Sequence, residues 1–168
     1  YEKNPGETDA HVDRWVQEIC AQFLQGKGFQ PKAIKAQLGR IVADFETVEL
    51  LPVRKVKVGI VGEIYIKYSP LGNNHLERFL ANEGCEVNVP GLLGFILYCV
   101  VNGPVTTDLY GGNKAAKAVY GLVMNYFAKR EQMMIDAIAK YPGLTPPPKF
   151  SSTMKCSEGI IGRGAKMG

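Results

Sequence analysis

Residues 56–62, VKVGIVG, form a compact β-branched run with glycines at positions 59 and 62. Branching at Cβ favours an extended backbone, so this run predicts a β-strand. Because its apolar residues are nearly continuous, we expect the strand to be buried on both faces, as in a parallel sheet. Residues 86–89 are predicted as a second strand and residues 75–82 as the helix between them. This order predicts a parallel pair joined by a right-handed crossover, and therefore an α/β fold.

Two amphipathic helices precede this unit. Thr8 or Asp9 is expected to cap the first helix with its side-chain oxygen, and Pro31 is expected in the first turn of the second. Apolar residues recur at helical spacing in both segments. The pattern predicts an N-terminal helical hairpin over residues 1–50, followed by an α/β module over residues 51–168.

The segment after the second strand is apolar. A helix is predicted over residues 92–101, with Asn102-Gly103-Pro104 as its stop signal and a loop beyond it. Ten residues are too few to cross a bilayer, so the sequence predicts a buried helix and no membrane contact. The polar and acidic start shows no signal peptide, so a cytoplasmic location is expected. Asn113 is expected to cap a long helix that reaches Lys140, and Pro146-Pro147-Pro148 is expected to form a stiff linker.

The chemistry-bearing residues are few. The chain of 168 residues has a net charge of +4, and its basic residues are spread along it, which disfavours nucleic-acid binding. Its four cysteines lack any CxxC spacing, and Cys85 and Cys99 are expected to be buried and reduced. Two histidines give little support to histidine catalysis, and no metal ligands are predicted. The glycine-rich segment 159–168 is not expected to bind phosphate, because no strand precedes it.

A polar and aromatic cluster follows the first predicted strand. Ligands of open α/β sheets bind beyond the carboxyl ends of the strands, so residues 63–74 occupy the position of a site. One interpretation is hydrogen bonding to a carbonyl group or to coenzyme A. The other is turn capping by the asparagines together with a solvated Glu–Lys pair. The cluster consists of Glu63, Tyr65, Lys67, Tyr68, Asn73, Asn74 and His75.

The middle of the chain resembles a known family. The similarity is carried by residues 58–65 (VGIVGEIY), 68–74 (YSPLGNN), 83–87 (EGCEV) and 89–91 (VPG). This run resembles the dehydratase-like region of the acyl-CoA dehydratase activase-related proteins, which join ATPase modules of the benzoyl-CoA reductase activator type to 2-hydroxyacyl-CoA dehydratase-like modules. The resemblance is closest over residues 56–102 and continues more weakly over residues 8–168.

This resemblance implies a helix-rich Rossmann-like or flavodoxin-like three-layer module with a small parallel sheet. In the family, an ATP-driven activator passes one electron to an iron–sulfur dehydratase, and a ketyl radical then eliminates water from a 2-hydroxyacyl-CoA. The implied partners are the ATPase activator, dehydratase-like domains and acyl-CoA. The implied ligand-binding candidates are Glu63, Tyr65, Ser69, Asn73 and Asn74, with catalytic residues unassigned.

One departure from the family pattern affects the expected cofactors. Related dehydratase subunits carry a cysteine soon after the second strand that helps to hold a [4Fe-4S] cluster. Residues 89–93 read VPGLL and contain no cysteine. We therefore expect no cofactor in this chain, with the [4Fe-4S] cluster and ATP bound elsewhere in the system, and we expect the isolated chain to be inactive.

Two hypotheses follow from the sequence. In the first, the chain is an incomplete, non-catalytic module of a dehydratase and activase system that supports radical dehydration or reduction of acyl-CoA. In the second, it is a structural or homo-oligomerisation module without a small-molecule site. The second is motivated by the helical hairpin and by the long amphipathic helix after Asn113.

Overall fold

The computed structural model describes residues 1–160, which form a helix-rich α/β arrangement with a small parallel sheet. Residues 161–168, most of the glycine-rich segment considered above, lie outside the described part. The chain divides into two compact units: Tyr1–Val53 with Arg130–Pro148, and residues 54–129 with the described residues from Lys149 onward. In chain order the elements are α1 Glu7–Leu24, α2 Pro31–Phe45, β1 Lys57–Gly59, α3 Ile64–Tyr68, α4 Leu76–Asn82, β2 Glu86–Asn88, α5 Leu92–Tyr110, α6 Lys114–Ile138 and α7 Phe150–Ser157.

Helices α1 and α2 pack together in the first unit, as the apolar periodicity predicts. Pro31 occupies the first turn of α2, where its missing N–H costs no hydrogen bond. Trp15 of α1 and Val42 of α2 are buried. The indole Nε1–H of Trp15 donates to Oδ2 of Asp44 over 2.7 Å, and Nδ1 of His11 lies 2.8 Å from the same oxygen. These contacts join the two helices through both apolar packing and polar bonds.

Asp44 is therefore surrounded by hydrogen-bond donors. Partial burial raises the pKa of Asp44, but the hydrogen bonds from Trp15 and Arg14 and the charges of Arg14 and His11 outweigh that effect, so the pKa lies below its ordinary value. The carboxylate stays ionised and serves as the common acceptor of the hairpin.

Helix α1 begins differently from the prediction that Thr8 or Asp9 caps it. The N-cap is Gly6, which adopts a left-handed conformation and has no side chain to accept a bond. The carboxylate of Glu2 takes the role of the capping side chain. It accepts from the N–H of Gly6 over 2.6 Å and from that of Thr8 over 2.7 Å. The prediction was wrong because a more distant carboxylate satisfies the free N–H groups that a cap normally serves.

Glu2 makes the stability of α1 depend on pH. Hydrogen bonds from the Thr8 hydroxyl and from the N–H groups of Thr8 and Gly6 lower the pKa of Glu2 from 4.5 to about 2. A depressed native pKa stabilises the fold at pH values above the unfolded pKa, and this contribution is lost as pH falls through the native value. We expect Glu2→Gln to destabilise the protein at neutral pH, with a penalty that shrinks from pH 4.5 towards pH 2. Urea unfolding of both proteins across this range measures it, and a penalty independent of pH would contradict the capping role.

The second unit contains the predicted parallel pair. Strand β1 pairs with β2 in the register Lys57–Glu86, Val58–Val87 and Gly59–Asn88, and α4 packs against β2. Gly84 follows Glu83, the C-cap of α4, and adopts φ 80°, as expected of a glycine that ends a helix. The coarse α/β prediction is therefore confirmed.

The prediction that the first strand is buried on both faces is wrong. Strand β1 has only three residues, and Ile60, just beyond it, is buried. Val56 and Val61 on either side are 72% and 80% exposed. A two-stranded sheet offers too little surface to cover a continuous apolar run on both faces.

Helix α5 continues through its predicted stop signal. It runs from Leu92 to Tyr110 with Pro104 inside it, so the loop expected after residue 103 is helical as far as Tyr110. Gly103 lies against the ring of Tyr120 in α6, where an added Cβ would lie 2.5 Å from the ring. The contact requires glycine at position 103, the same residue that the sequence pattern takes as part of a helix stop signal.

The full length of α5 also changes what its composition allows. With 19 residues, α5 is long and apolar enough to cross a membrane. A core helix of a soluble protein meets the same criterion. The shorter predicted helix excluded a span on length alone, and that argument no longer holds. Most residues of α5 are half-buried, and Leu97 is 1% exposed.

Helix α6 starts as predicted. The Oδ1 atom of Asn113 accepts from the N–H of Ala115 over 2.8 Å and from that of Ala116 over 3.4 Å. Two short helices, α3 and α7, were not predicted. Both are below the length at which apolar periodicity separates a helix from a loop.

Candidate functional site

The predicted site follows the carboxyl end of β1. The chain leaves the strand at Ile60, forms α3, turns through residues 69–75 and enters α4. All five candidate residues lie in this stretch, which we call the β1–α4 loop (residues 63–75). It contains a helical turn, α3, where the sequence pattern predicted a loop.

Glu63 is the N-cap of α3. Its Oε2 atom accepts from the N–H of Tyr65 over 2.7 Å and from that of Ile66 over 3.3 Å. A carboxylate here also has a favourable interaction with the positive end of the short helix. The predicted ligand-binding carboxylate is thus already engaged in holding the first turn of the loop.

Ser69 and Asn73 close the second half of the loop. The hydroxyl of Ser69 accepts from the N–H of Gly72 over 3.1 Å. The amide of Asn73 donates to the carbonyl of Ile66 over 2.9 Å, and its Oδ1 atom accepts from the N–H of Leu76 over 3.2 Å. Asn73 therefore connects α3 to the start of α4. The turn-capping interpretation describes these two residues.

Tyr65 packs its ring against the backbone of this turn. A Cβ added to Gly72 would lie 2.7 Å from Cε1 of Tyr65, so the contact depends on a glycine at that position. Tyr65 is otherwise exposed. Part of the Tyr65 side chain is therefore accessible from solvent while part of its ring packs on the loop.

Asn74 and His75 protrude at the end of the turn. Both adopt left-handed backbone conformations, with φ values of 54° and 56°. Asparagine tolerates this region better than most residues, and such backbone strain concentrates at functional sites. Within residues 1–160 the Asn74 side chain makes no hydrogen bond, unlike those of Glu63, Ser69 and Asn73. It is the candidate amide that remains available to a ligand.

Tyr68 is a further residue of the loop that the candidate set omits. Its hydroxyl donates to the carbonyl of Pro90 over 2.5 Å, which joins the loop to the segment after β2. The ammonium of Lys67 lies 4.7 Å from the centre of the Tyr68 ring. The sequence placed Tyr68 in the polar cluster. It gave no sign of this bond, because the partner, Pro90, is 22 residues away along the chain.

The cysteines do not assemble a metal-ligand set in the described part of the chain. All four are free, Cys85 is half-buried, and Cys99 and Cys156 are exposed. The prediction that Cys99 is buried is therefore wrong, because it lies on the open side of α5. Across residues 1–160 no group of three or more His, Cys, Asp or Glu side chains is placed to hold a metal ion. The donors present do not fit an iron–sulfur cluster, which is normally held by several thiolates.

The site thus combines a helical turn, an internal hydrogen-bond network and several exposed side chains, among them those of Tyr65, Asn74 and His75. Comparisons with protein-family models, with curated proteins and with solved structures each found no match to this chain.

Proposed function

We propose that the chain is a non-catalytic module of a 2-hydroxyacyl-CoA dehydratase and activase-related protein. In this role it supports ATP-driven, iron–sulfur-dependent radical dehydration or reduction of acyl-CoA by neighbouring modules. The observation that carries the proposal is the β1–α4 loop, a hydrogen-bonded loop that leaves the carboxyl end of a parallel strand. Ligands of open α/β sheets bind at this position. The proposed architecture is the Rossmann-like or flavodoxin-like three-layer form.

The loop residues divide into two roles under this proposal. Glu63, Ser69 and Asn73 hold the loop, since their polar atoms bond to its own backbone. Asn74 and Tyr65 contact the ligand, since both residues are exposed. A primary amide can both donate to and accept from the amide groups of the pantetheine arm of acyl-CoA. A pre-formed loop binds such an arm without the entropy cost of ordering itself.

The cluster and ATP belong to other modules in this proposal. Residues 1–160 contain no group of three or more His, Cys, Asp or Glu side chains placed to hold a metal ion. The proposed partners are the ATPase activator and the dehydratase-like domains, and the proposed location is the cytoplasm.

The ligand proposal is tested by thermal-shift titration with a 2-hydroxyacyl-CoA. We expect the ligand to raise the melting temperature of the natural sequence and to leave that of Asn74→Gly unchanged. Glycine adopts the left-handed conformation of residue 74 freely, so this variant removes the amide and preserves the turn. Asn125→Ala, an exposed asparagine of α6, is the matched control and keeps the shift. The acyl-CoA site would be rejected if saturating ligand left the melting temperature of the natural sequence unchanged. It would also be rejected if the ligand raised the melting temperatures of Asn74→Gly and Asn125→Ala equally.

A separate measurement tests the non-catalytic role. The protein is purified anaerobically and its iron and acid-labile sulfide are measured. We expect neither in stoichiometric amount. A stoichiometric cluster with the matching absorption spectrum would overturn this part of the proposal, whatever the result with acyl-CoA.

The alternative is a structural module without a small-molecule site. One observation favours it: Glu63, Ser69 and Asn73 all bond to the backbone of their own loop. In that case the loop serves to connect β1 to α4, and acyl-CoA has no effect on thermal stability.

A further inference from the structure

Strand β1 has a neighbour on one side only. The carbonyl of Val56 accepts from the N–H of Glu86 over 2.8 Å, and the N–H of Ile60 donates to the carbonyl of Asn88 over 2.9 Å. Backbone polar groups of successive residues point to opposite sides of a strand. The alternate residues, Lys57 and Gly59, therefore direct their N–H and carbonyl groups away from β2.

The outward side of β1 is open. Among residues 1–160, no backbone or side-chain group outside the strand is hydrogen-bonded to the outward groups of Lys57 and Gly59. A Cβ added to Gly59 would meet nothing within 4 Å. Val56, directly before the strand, and Val61, two residues after its end, are among the most exposed apolar side chains of the unit. The outer side of β2 is less accessible, because Val87 is half-buried and α4 packs on that strand.

An edge of this kind is unfavourable in an isolated chain. A two-stranded sheet is only marginally stable, and exposed strand edges recruit further strands. Lysine on an edge usually discourages such pairing through its charge. Here the ammonium of Lys57 lies 3.3 Å from the Glu86 carboxylate on the neighbouring strand, so its charge is compensated within the same sheet.

We propose that β1 pairs with β1 of a second copy in an antiparallel arrangement with two-fold symmetry. With Val58 on the axis, Lys57 of each copy lies opposite Gly59 of the other. Those are the residues whose polar groups point outward, so the pair exchanges backbone hydrogen bonds on both sides of the axis. The two lysines do not face each other across the axis.

This register makes the edge complementary to itself, which is the requirement for a symmetric dimer contact. The valines at position 58 meet across the axis as a β-branched cross-strand pair. The product is one continuous four-stranded sheet in the order β2, β1, β1 and β2. The inference rests on the edge of β1 alone and does not depend on acyl-CoA binding.

Sedimentation velocity over a wide concentration range tests the dimer. We expect the natural sequence to dimerise reversibly and Gly59→Pro to weaken association by about tenfold or more, because it removes an outward donor from each copy. The bonds between β1 and β2 do not use the N–H of Gly59, so the change spares the sheet within each copy. Gly59→Ala keeps the N–H, fits the open space and should dimerise like the natural sequence.

Hydrogen exchange of the natural sequence tests the dimer without the proline variant, so a folding defect in that variant does not affect the result. We expect the amides of Lys57 and Gly59 to exchange more slowly as protein concentration rises, while exposed loop amides do not change. A protein that stays monomeric at every concentration would overturn the proposal. So would a dimer in which these two amides exchange as fast as in the monomer, since association would then use another surface.

Discussion

Trp15→Ala is expected to lower the free energy of unfolding by about 3–5 kcal/mol, the usual cost of truncating a large buried aromatic side chain. Trp15 is 7% exposed. It belongs to the buried core of the first unit, as does Val42 of α2. The substitution also removes the indole N–H that Asp44 accepts, and it removes the ring under the Arg40 guanidinium, which lies 5.0 Å from the ring centre. Urea unfolding followed by far-ultraviolet circular dichroism measures the loss without relying on tryptophan fluorescence.

Two variants separate the causes of this loss. Trp15→Phe keeps most of the apolar contact and removes the hydrogen bond, so we expect a smaller loss of about 1–3 kcal/mol. Val16→Ala changes the neighbouring, exposed residue and should alter stability by less than about 0.5 kcal/mol. Equal losses in Trp15→Ala and Val16→Ala would show that the hairpin does not depend on the buried indole.

Leu97→Ala is expected to destabilise the second unit by about 2–5 kcal/mol. Leu97 is 1% exposed, and it is the largest fully buried side chain among the described residues. Its removal leaves a cavity that the surrounding helices fill only partly, which adds to the lost transfer energy. Thermal and urea unfolding of the variant measure the effect.

The matched control for this change lies on the same helix. Leu92 is half exposed at the start of α5, so Leu92→Ala removes the same atoms from a site that solvent already reaches. We expect its cost to be well below that of Leu97→Ala. Similar costs would mean that α5 is not anchored through Leu97.

Much of the local structure could be predicted because it depends on neighbouring residues. Pro31 and Asn113 mark helix starts through the geometry of one turn, and both predictions are confirmed. The β-branched run around Val58 and the turn at Gly84 placed the parallel pair correctly. These features follow from backbone preferences and from hydrogen bonds that span only a few residues.

The failures involve contacts between distant residues. Helix α5 passes through Pro104, and Gly103 beside it is packed against Tyr120 of the next helix. The hydroxyl of Thr107 donates to the carbonyl of Gly103 over 3.1 Å, a bond within the turn that the pattern assigned to a loop. Tertiary packing can outweigh the local cost of glycine and proline in a helix, and no pattern within the segment indicates that it does.

For the candidate site, the sequence by itself determined which polar side chains follow the carboxyl end of β1. Only the tertiary structure decided that Glu63, Ser69 and Asn73 bond to their own loop while Asn74 faces solvent. It also decided that the outer edge of β1 is open. Composition and spacing define which groups are near one another along the chain. Whether a polar group has a partner depends on atoms that folding brings together from outside the segment.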